Sequence, residues 1–301
     1  MEPPLTPDPG PFRLDEARRA LEKGTGKGVR IAVIDSGVEV DHPALPGLTL
    51  IDDLHVIDAG VQIEVKAGDG SDIYGHGTAV TGVIRRIAPD AQIGSIRVLG
   101  ANLGSRTVII REGVRQAIDR GYHILNCSFG CGLPEHIFQY KEWIDEAYLK
   151  GIHVVSACNN YDFTTPEWPG YFPSVVTTNM ARFDEDHTFF YKPGHLVEFA
   201  ARGVDVTLPW NNHATKEVTG SSFAAPIMSA LLARLISEMP GLAPLEAKSI
   251  MHRLAIPWRA EVTAPNVVSK DDAPAAPVAR AGRPPPSAEP VARAGKPPPS
   301  S

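Results

Sequence analysis

The sequence predicts an α/β fold with a central, mostly parallel sheet that is flanked by helices. Short apolar runs alternate with helical patterns through the body of the chain, which is the order that parallel βαβ units produce. Several of these runs are continuous and rich in β-branched residues, as in Val29–Asp35. Runs of this kind are typical of strands that are buried on both faces. Two proline-rich ends flank the body, so the core is predicted to lie between them.

Each predicted element has recognisable limits in the sequence. Strands are predicted at 29–35, 93–99, 122–127, 152–157, 174–178 and 196–200. Helices are predicted at 76–87, 105–120, 134–150, 222–239 and 244–254. Gly121 and Gly151 follow two of these helices, as glycine often does at a helix C-terminus. The carboxyl ends of parallel strands meet at one edge of a sheet, so polar residues just after the strands are the first candidates for a functional site.

The 28 prolines of the 301 residues divide the chain. We expect a short proline-rich extension at 1–25, one folded domain at 26–256, and a disordered tail at 257–301. The tail carries an 11-residue repeat, PVARAGRPPPS at 277–287 and PVARAGKPPPS at 290–300. This composition cannot bury a core and favours extended conformers. The tail is expected to be a linker, or a ligand for a proline-recognising or anionic partner.

Composition excludes several classes of protein. A hydrophobic content of 43% argues against a wholly disordered chain, and a net charge of −6 gives no reason to expect nucleic-acid binding. No apolar run reaches the ~18 residues of a membrane span, so no membrane partner is expected. The first residues lack the basic and apolar regions of a secretory signal. We therefore expect a cytoplasmic protein, with signal-less export as the alternative.

Three cysteines are too few for a disulfide scaffold. Cys127, Cys131 and Cys158 are expected to be buried thiols, with redox sensitivity as the alternative.

Three residues that can carry nucleophilic catalysis lie at the predicted ends of elements. Asp35 closes the first strand, His76 opens a helix, and Ser222 opens the long apolar helix. Taken singly, such residues are commonly caps or turn formers. Together, an imidazole can take the proton of a serine hydroxyl while a carboxylate orients the imidazole, and acid, histidine, serine is one of the known orders. Three glycines are expected to leave room for a substrate backbone beside them: Gly75, Gly77 and Gly220.

The segments VIDSGVEVDHPAL, GHGTAVTGVI and GSSFAAP resemble the three active-site blocks of the subtilisin-like (subtilase, S8-type) serine proteases. The resemblance covers about residues 26–254 and implies a three-layer subtilisin-like fold. It implies that Asp35 is the orienting carboxylate, His76 the general base and Ser222 the nucleophile. Ser221, one place earlier, is not the expected nucleophile.

The resemblance also implies an oxyanion hole. Asn159, at the end of VVSACN, matches the family's side-chain donor, and the Ser222 N–H is the expected second donor. Cys158 stands where the family usually has glycine, and the adjacent Asn160 is the main competitor for the donor role.

The resemblance further implies a cleft in which an extended peptide adds to a sheet edge. Its two walls are expected from Ser128, Phe129 and Gly130 on one side and Gly100, Asn102 and Gly104 on the other. Walls for the side chain before the scissile bond are expected near Gly130 and 161–171. No metal or cofactor is expected to take part in the reaction. Ala44 stands where many relatives have a calcium-binding aspartate, so that calcium site is expected to be absent, and weaker cation sites elsewhere are the alternative.

These residues together predict a serine endopeptidase that acts on peptide or protein substrates through an acyl-enzyme. Its expected role is the maturation of a precursor. The alternatives are a broad-specificity degradative protease and a non-catalytic, subtilase-like peptide-binding module.

Overall fold

The computed structural model describes residues 13–60 and 62–258. In chain order, the helices of this part are α1 (Leu14–Lys23), α2 (His76–Ile87), α3 (Thr107–Asp119), α4 (Ile137–Leu149), α5 (Ser221–Glu238) and α6 (Pro244–Leu254). The strands are β1 (Arg30–Asp35), β2 (Leu50–Asp58), β3 (Ile63–Ala67), β4 (Gln92–Arg97), β5 (Ile124–Cys127), β6 (His153–Ala157), β7 (Val176–Ala181), β8 (Phe189–Tyr191), β9 (Phe199–Arg202), β10 (Val206–Trp210), β11 (Ala214–Val218) and β12 (Ile256–Pro257).

Ten strands form one sheet in the order β12-β8-β9-β7-β6-β5-β1-β4-β2-β3. Neighbouring strands are parallel except for the pairs β2–β3 and β8–β9. Strands β10 and β11 form a separate antiparallel hairpin. The predicted α/β fold with a mostly parallel sheet is confirmed.

Helices cover both faces of the sheet, which gives three layers. Helices α1, α2, α5 and α6 contribute to the apolar core on one face, and α3 and α4 to the core on the other. Helix α5 is buried along 221–235, so it lies inside the protein rather than on its surface. No helix in the described ranges is long and apolar enough to cross a membrane.

Strand β2 is the longest strand that the sequence pattern did not predict. Its acidic residues Asp52 and Asp53 break the apolar run, but each has a specific partner. The Tyr122 hydroxyl donates to Asp52 Oδ2 at 2.6 Å, and the Gly70 N–H donates to Asp53 Oδ2 at 2.8 Å. These partners lie far away in the sequence, so local composition cannot reveal them. The predicted strands at 174–178 and 196–200 also lie later in the chain, beginning at Val176 and Phe199.

Helix α1 lies within residues 1–25, which were predicted to be a short proline-rich extension. Its Ala17 and Ala20 are buried in the core against α5. The Arg234 guanidinium of α5 donates to the carbonyls of Glu22 and Ile87, which joins the ends of α1 and α2. Helix α1 is therefore packed on the domain. The repeat in the tail lies outside the described residues.

The buried face of α1 can be tested with a pair of substitutions. Ala20→Asp should lower the free energy of unfolding by at least about 2 kcal/mol, because it buries a carboxylate without a partner. Arg19→Asp, at an exposed position of the same helix, should have little effect. Thermal and denaturant unfolding measure both, and equal stability of the two variants would contradict the packing of α1.

Candidate active site

The predicted site residues lie at one edge of the sheet. Asp35 is the last residue of β1, Ser128 follows β5, and Asn159 follows β6. His76 and Ser222 lie in the first turns of α2 and α5. The carboxyl ends of three neighbouring strands and the N-termini of two helices thus converge, as expected for a parallel α/β sheet.

Asp35 and His76 are in direct contact. The His76 Nδ1 lies 2.8 Å from Asp35 Oδ1 and 3.0 Å from Oδ2, and both side chains are buried. The Ser36 N–H donates to Asp35 Oδ1 at 2.7 Å, which fixes the carboxylate. Because a carboxylate only accepts hydrogen bonds, Nδ1 carries the hydrogen. The neutral ring therefore presents Nε2 as an acceptor.

Opposing effects set the charge of this imidazole. Burial alone lowers the pKa of His76, but the Asp35 carboxylate more than offsets burial, with a smaller contribution from Asp72. The pKa of His76 therefore lies above its ordinary value. A proton accepted by this ring is stabilised by the carboxylate beside it.

Asp72 is a positioning residue that was not among the predicted site residues. Its carboxylate accepts from the Ser36 hydroxyl at 2.8 Å and from the N–H groups of Tyr74, Gly75 and Thr78 at 2.8–3.0 Å. These bonds hold the turn before His76 against the end of β1. The only signal in the sequence for this positioning role is that Asp72 lies shortly before His76, in GSDIYGHG.

The glycines that flank His76 make room for the protein itself. A Cβ at Gly77 would lie 2.1 Å from the Gly37 carbonyl oxygen, and one at Gly75 would lie 2.5 Å from the Trp210 ring. Gly75 also has a φ of +110°, which other residues rarely adopt. These two glycines therefore allow α2 to approach β1 and β10. This room was predicted to accommodate a substrate backbone. Atoms of the protein itself lie there instead.

Ser222 lies at the same edge, but its hydroxyl is engaged elsewhere. The Ser222 Oγ donates to the Ser128 carbonyl at 3.2 Å, and no hydrogen bond joins it to His76 within the described residues. The ring centroid of Phe223, the residue after Ser222, lies 5.3 Å from that of His76. The start of α5 is therefore next to the imidazole. The structure therefore shows the contact between Asp35 and His76. Ser222 lies nearby, but its hydroxyl does not hydrogen-bond to His76.

A proline fixes the start of α5 to the end of β5. Pro226 has no N–H to donate to the carbonyl of Ser222, its partner one helical turn back. The Ser128 hydroxyl donates to that carbonyl instead, at 3.0 Å. Asn126 and Ser229 continue the connection, with Asn126 Nδ2 donating to Ser128 Oγ and Ser229 Oγ donating to Asn126 Oδ1.

Ser221 holds the loop after β6. Its hydroxyl donates to the Cys158 carbonyl at 2.8 Å and accepts from the Cys158 N–H at 3.2 Å. The Ser221 N–H donates to Asn160 Oδ1 at 2.7 Å. A structural role for Ser221 therefore accounts for its side chain, which agrees with the choice of Ser222 as the candidate nucleophile.

Asn159 and Asn160 are both buried at this edge, but they make different contacts. Asn159 Oδ1 accepts the N–H groups of Tyr161 and Asp162, and its Nδ2 donates one hydrogen to the Thr165 carbonyl at 2.9 Å. An amide nitrogen carries two hydrogens, so one remains available to a ligand. Asn160 Oδ1 accepts the Ser221 N–H of α5, and this bond does not involve its Nδ2. The side-chain amides of Asn159 and Asn160 are therefore both candidate donors to an oxyanion.

The two predicted cleft walls do not line the same groove. Gly100, Asn102 and Gly104 line a groove of about 410 Å³, which the residues 128–130 do not line. The Gly100 N–H donates to the Gly104 carbonyl at 2.9 Å, so that N–H is used within its own loop. Phe129 as a whole is 1% exposed, and its side chain packs in the core, so that side chain does not line the cleft.

The three cysteines are buried and form no disulfide. Burial raises the pKa of Cys127 and raises that of Cys158 to about 12, so both thiols are protonated near neutral pH. A protonated, buried thiol is a poor nucleophile.

The position that matches the family's calcium-binding aspartate does not fit a cation. Ala44 has no side-chain oxygen, and its N–H donates to His42 Nδ1 at 3.0 Å. Elsewhere among the described residues, Glu39, Asp41 and His213 place possible ligand atoms within 4.8 Å of one another. Glu39 already accepts the N–H groups of Asn212 and His213, so its carboxylate has a structural role.

The charge on the His76 ring can be tested with Asp35→Asn. The pKa of His76 should fall below its ordinary value, because burial remains while the carboxylate that offsets it is gone. An NMR titration of the His76 ring in a Ser222→Ala background measures this pKa without self-cleavage. An unchanged pKa would contradict the contact between Asp35 and His76.

Comparison with known proteins places this geometry in a family. Thermitase from Thermoactinomyces vulgaris is 28% identical over 235 residues, which is 76% of this chain and 82% of thermitase. An intracellular serine protease from Paenibacillus polymyxa is 30% identical over 250 residues, 77% of this chain and 73% of that protein. The solved structure of a cold-adapted subtilisin-like serine proteinase superposes with a TM-score of 0.64 at 24% identity, over 77% of this chain and 83% of that one.

The structural likeness supports the fold, and the predicted three-layer subtilisin-like architecture is confirmed. The model of the subtilase family of S8-type peptidases matches residues 26–282, which is most of the chain. With three sequence blocks at one edge of a subtilisin-like sheet, the chain belongs to the subtilase family.

Proposed function

We propose that this protein is a serine endopeptidase in which Ser222 is the nucleophile, His76 the general base and Asp35 the orienting carboxylate. The observation that carries the proposal is the buried contact between Asp35 and His76 at the sheet edge where α5 begins. That contact fixes the ring tautomer, and it leaves Nε2 free to accept a proton.

Substrate binding would start on the strand end at 128–130. An extended peptide that pairs with this edge through backbone groups needs no particular side chain at most positions. The substrate would approach the Ser128 carbonyl, which now accepts the Ser222 hydroxyl. Rotation about the Cα–Cβ bond would release that hydroxyl toward His76 Nε2.

The chemical step would then follow the order of the three residues. Ser222 Oγ attacks the substrate carbonyl while its proton passes to His76 Nε2. The imidazolium is stabilised by Asp35, and it returns the proton to the leaving amine as the acyl-enzyme forms. Water, activated by the same imidazole, hydrolyses the acyl-enzyme and regenerates Ser222.

The oxyanion would lie between two donors. The Ser222 N–H belongs to the first turn of α5, where helix N–H groups have no acceptor within the helix and the helix dipole favours negative charge. The second hydrogen of Asn159 Nδ2 supplies the other bond. The hydrogen bonds of Asn159 within its own loop hold the amide in place before substrate arrives.

A non-catalytic peptide-binding module is the second candidate. It is favoured by one observation, that the Ser222 hydroxyl bonds the Ser128 carbonyl and not His76. Catalytic hydrogen bonds are often loose before substrate binds, so this contact alone does not exclude catalysis. A peptidase could also serve either precursor maturation or broad degradation, and mapping of cleavage sites in a peptide mixture separates these two roles.

The choice of nucleophile is tested by a pair of adjacent serines. Ser222→Ala should abolish peptide hydrolysis and labelling by a fluorophosphonate probe, because it removes the hydroxyl that is proposed to attack the substrate. Ser221→Ala should keep the labelling but lower the melting temperature, because it removes the two hydrogen bonds to Cys158.

Normal turnover in Ser222→Ala would overturn the assignment. A folded wild-type protein that neither labels nor cleaves any peptide would support the non-catalytic module.

The oxyanion donor is tested with Asn159→Ala and Asn160→Ala. Asn159→Ala should lower kcat roughly 10- to 150-fold with little change in KM, the loss expected for one hydrogen bond of about 1.5–3 kcal/mol to a charge. Asn160→Ala should mainly lower the melting temperature, because it removes the acceptor of the Ser221 N–H. If the kcat effect appears in Asn160→Ala instead, the donor is Asn160.

A further inference from the structure

Strand β3 (Ile63–Ala67) forms one outer edge of the ten-stranded sheet. It pairs with β2 on one side, and no strand of the described residues pairs with its other side. At the opposite edge of the sheet, β12 has only 2 residues, and one of them is Pro257. A strand that is short and contains proline offers little backbone for further pairing. Strand β3 is therefore the outer edge to which another strand can add.

The register between β2 and β3 decides which backbone groups of β3 face outward. The Gly68 N–H, just beyond the end of β3, donates to the Asp53 carbonyl at 2.8 Å. Because hydrogen-bonded pairs alternate along an antiparallel ladder, the backbone groups of Glu64 and Lys66 point toward β2. The N–H and C=O groups of the odd-numbered residues of β3 therefore point to the open side.

The two faces of β3 differ in character. Ile63 and Val65 are partly buried against the apolar core that α3 covers. Glu64 and Lys66 extend from the opposite face, because successive side chains of a strand alternate. The Lys66 ammonium lies 3.1 Å from a Glu64 carboxylate oxygen, and the two side chains are 58% and 35% exposed. The open edge thus carries one acid and one base in a fixed order.

This order of charges is complementary to itself. A second β3 can run antiparallel to the first with a two-fold axis at Val65, so that the outward backbone groups of the two strands face each other. Glu64 of each copy then lies opposite Lys66 of the other copy. These pairs lack backbone hydrogen bonds of their own, and side chains are closest in pairs of that kind.

The charges also select this register over its neighbours. Moving the axis to Glu64 or to Lys66 keeps the outward backbone groups aligned, but it places two like charges opposite each other. A slip of one strand by a single residue would set outward groups against groups that already face β2. Charged residues often protect a sheet edge from pairing, whereas the alternating signs here leave one pairing favourable.

We propose that β3 is the interface of a symmetric homodimer, in which the sheets of two copies of this chain join through antiparallel β3 strands. The inference goes beyond the proposed function and does not depend on it. A strand of 5 residues makes a small interface, so we expect a dissociation constant of roughly 1–100 μM.

Sedimentation equilibrium of the full chain over a range of concentrations measures this dimer, and a Ser222→Ala background prevents self-cleavage. Lys66→Glu and Glu64→Lys each place like charges opposite one another in both pairs. Each should therefore weaken self-association at least about tenfold. Lys141→Glu makes the same change in net charge at an exposed position of α4, and it should leave self-association unchanged.

An equal mixture of the two β3 variants separates the proposed pairing from a structural effect. In a mixed dimer, the two acids of the Lys66→Glu chain face the two lysines of the Glu64→Lys chain, so association should return to about the original strength. A chain with unsubstituted β3 that stays monomeric up to about 500 μM would overturn the inference. Undiminished dimerisation of either variant would also overturn it, and so would a mixture that associates no better than the variants alone.

Discussion

The buried contact between the Asp35 carboxylate and the His76 imidazole imposes conditions on everything around it. A carboxylate that is removed from water must have its hydrogen bonds supplied by the protein. Ser36 supplies one, and Asp72 holds the turn that carries the imidazole into place. The approach of α2 to β1 requires glycine at position 77, because a methyl group there would collide with the Gly37 carbonyl. The contacts of Asp72 and the close approach at Gly77 both hold the second sequence block in the position that this contact needs.

Helix α5 positions Ser222 in the candidate site, as α2 positions His76. It is buried over most of its length, so its N-terminus is fixed by core packing and not by a flexible loop. Pro226 leaves the Ser222 carbonyl without a helical partner, and the Ser128 hydroxyl replaces that partner. Ser221 joins the loop after β6 to the same helix turn. The first turn of one helix therefore links Ser222, the strand end at 128–130 and the loop after β6.

The sequence was sufficient for the elements whose signal is local. The apolar run of β1 and the helix that begins at Pro244 were readable from composition. The motifs were sufficient to choose Asp35, His76 and Ser222 as candidate site residues. Asp72 was not readable as a positioning residue, because its role depends on groups that the fold brings near it. Strand β2 was missed for a related reason, since its acidic residues are compatible with a strand only through distant partners such as Tyr122. Local patterns report apolar burial well, whereas the pairing of buried charges depends on tertiary contacts.

We propose that Ser222 is a nucleophile activated by His76 and Asp35. The most direct measurement is tandem mass spectrometry of the wild-type protein after reaction with a fluorophosphonate, which locates the adduct on one side chain. We expect a single adduct on Ser222, and none when His76 is replaced by alanine. An adduct on Ser221, or equal labelling of Ser222 in the His76→Ala variant, would show that these residues do not act together in this way.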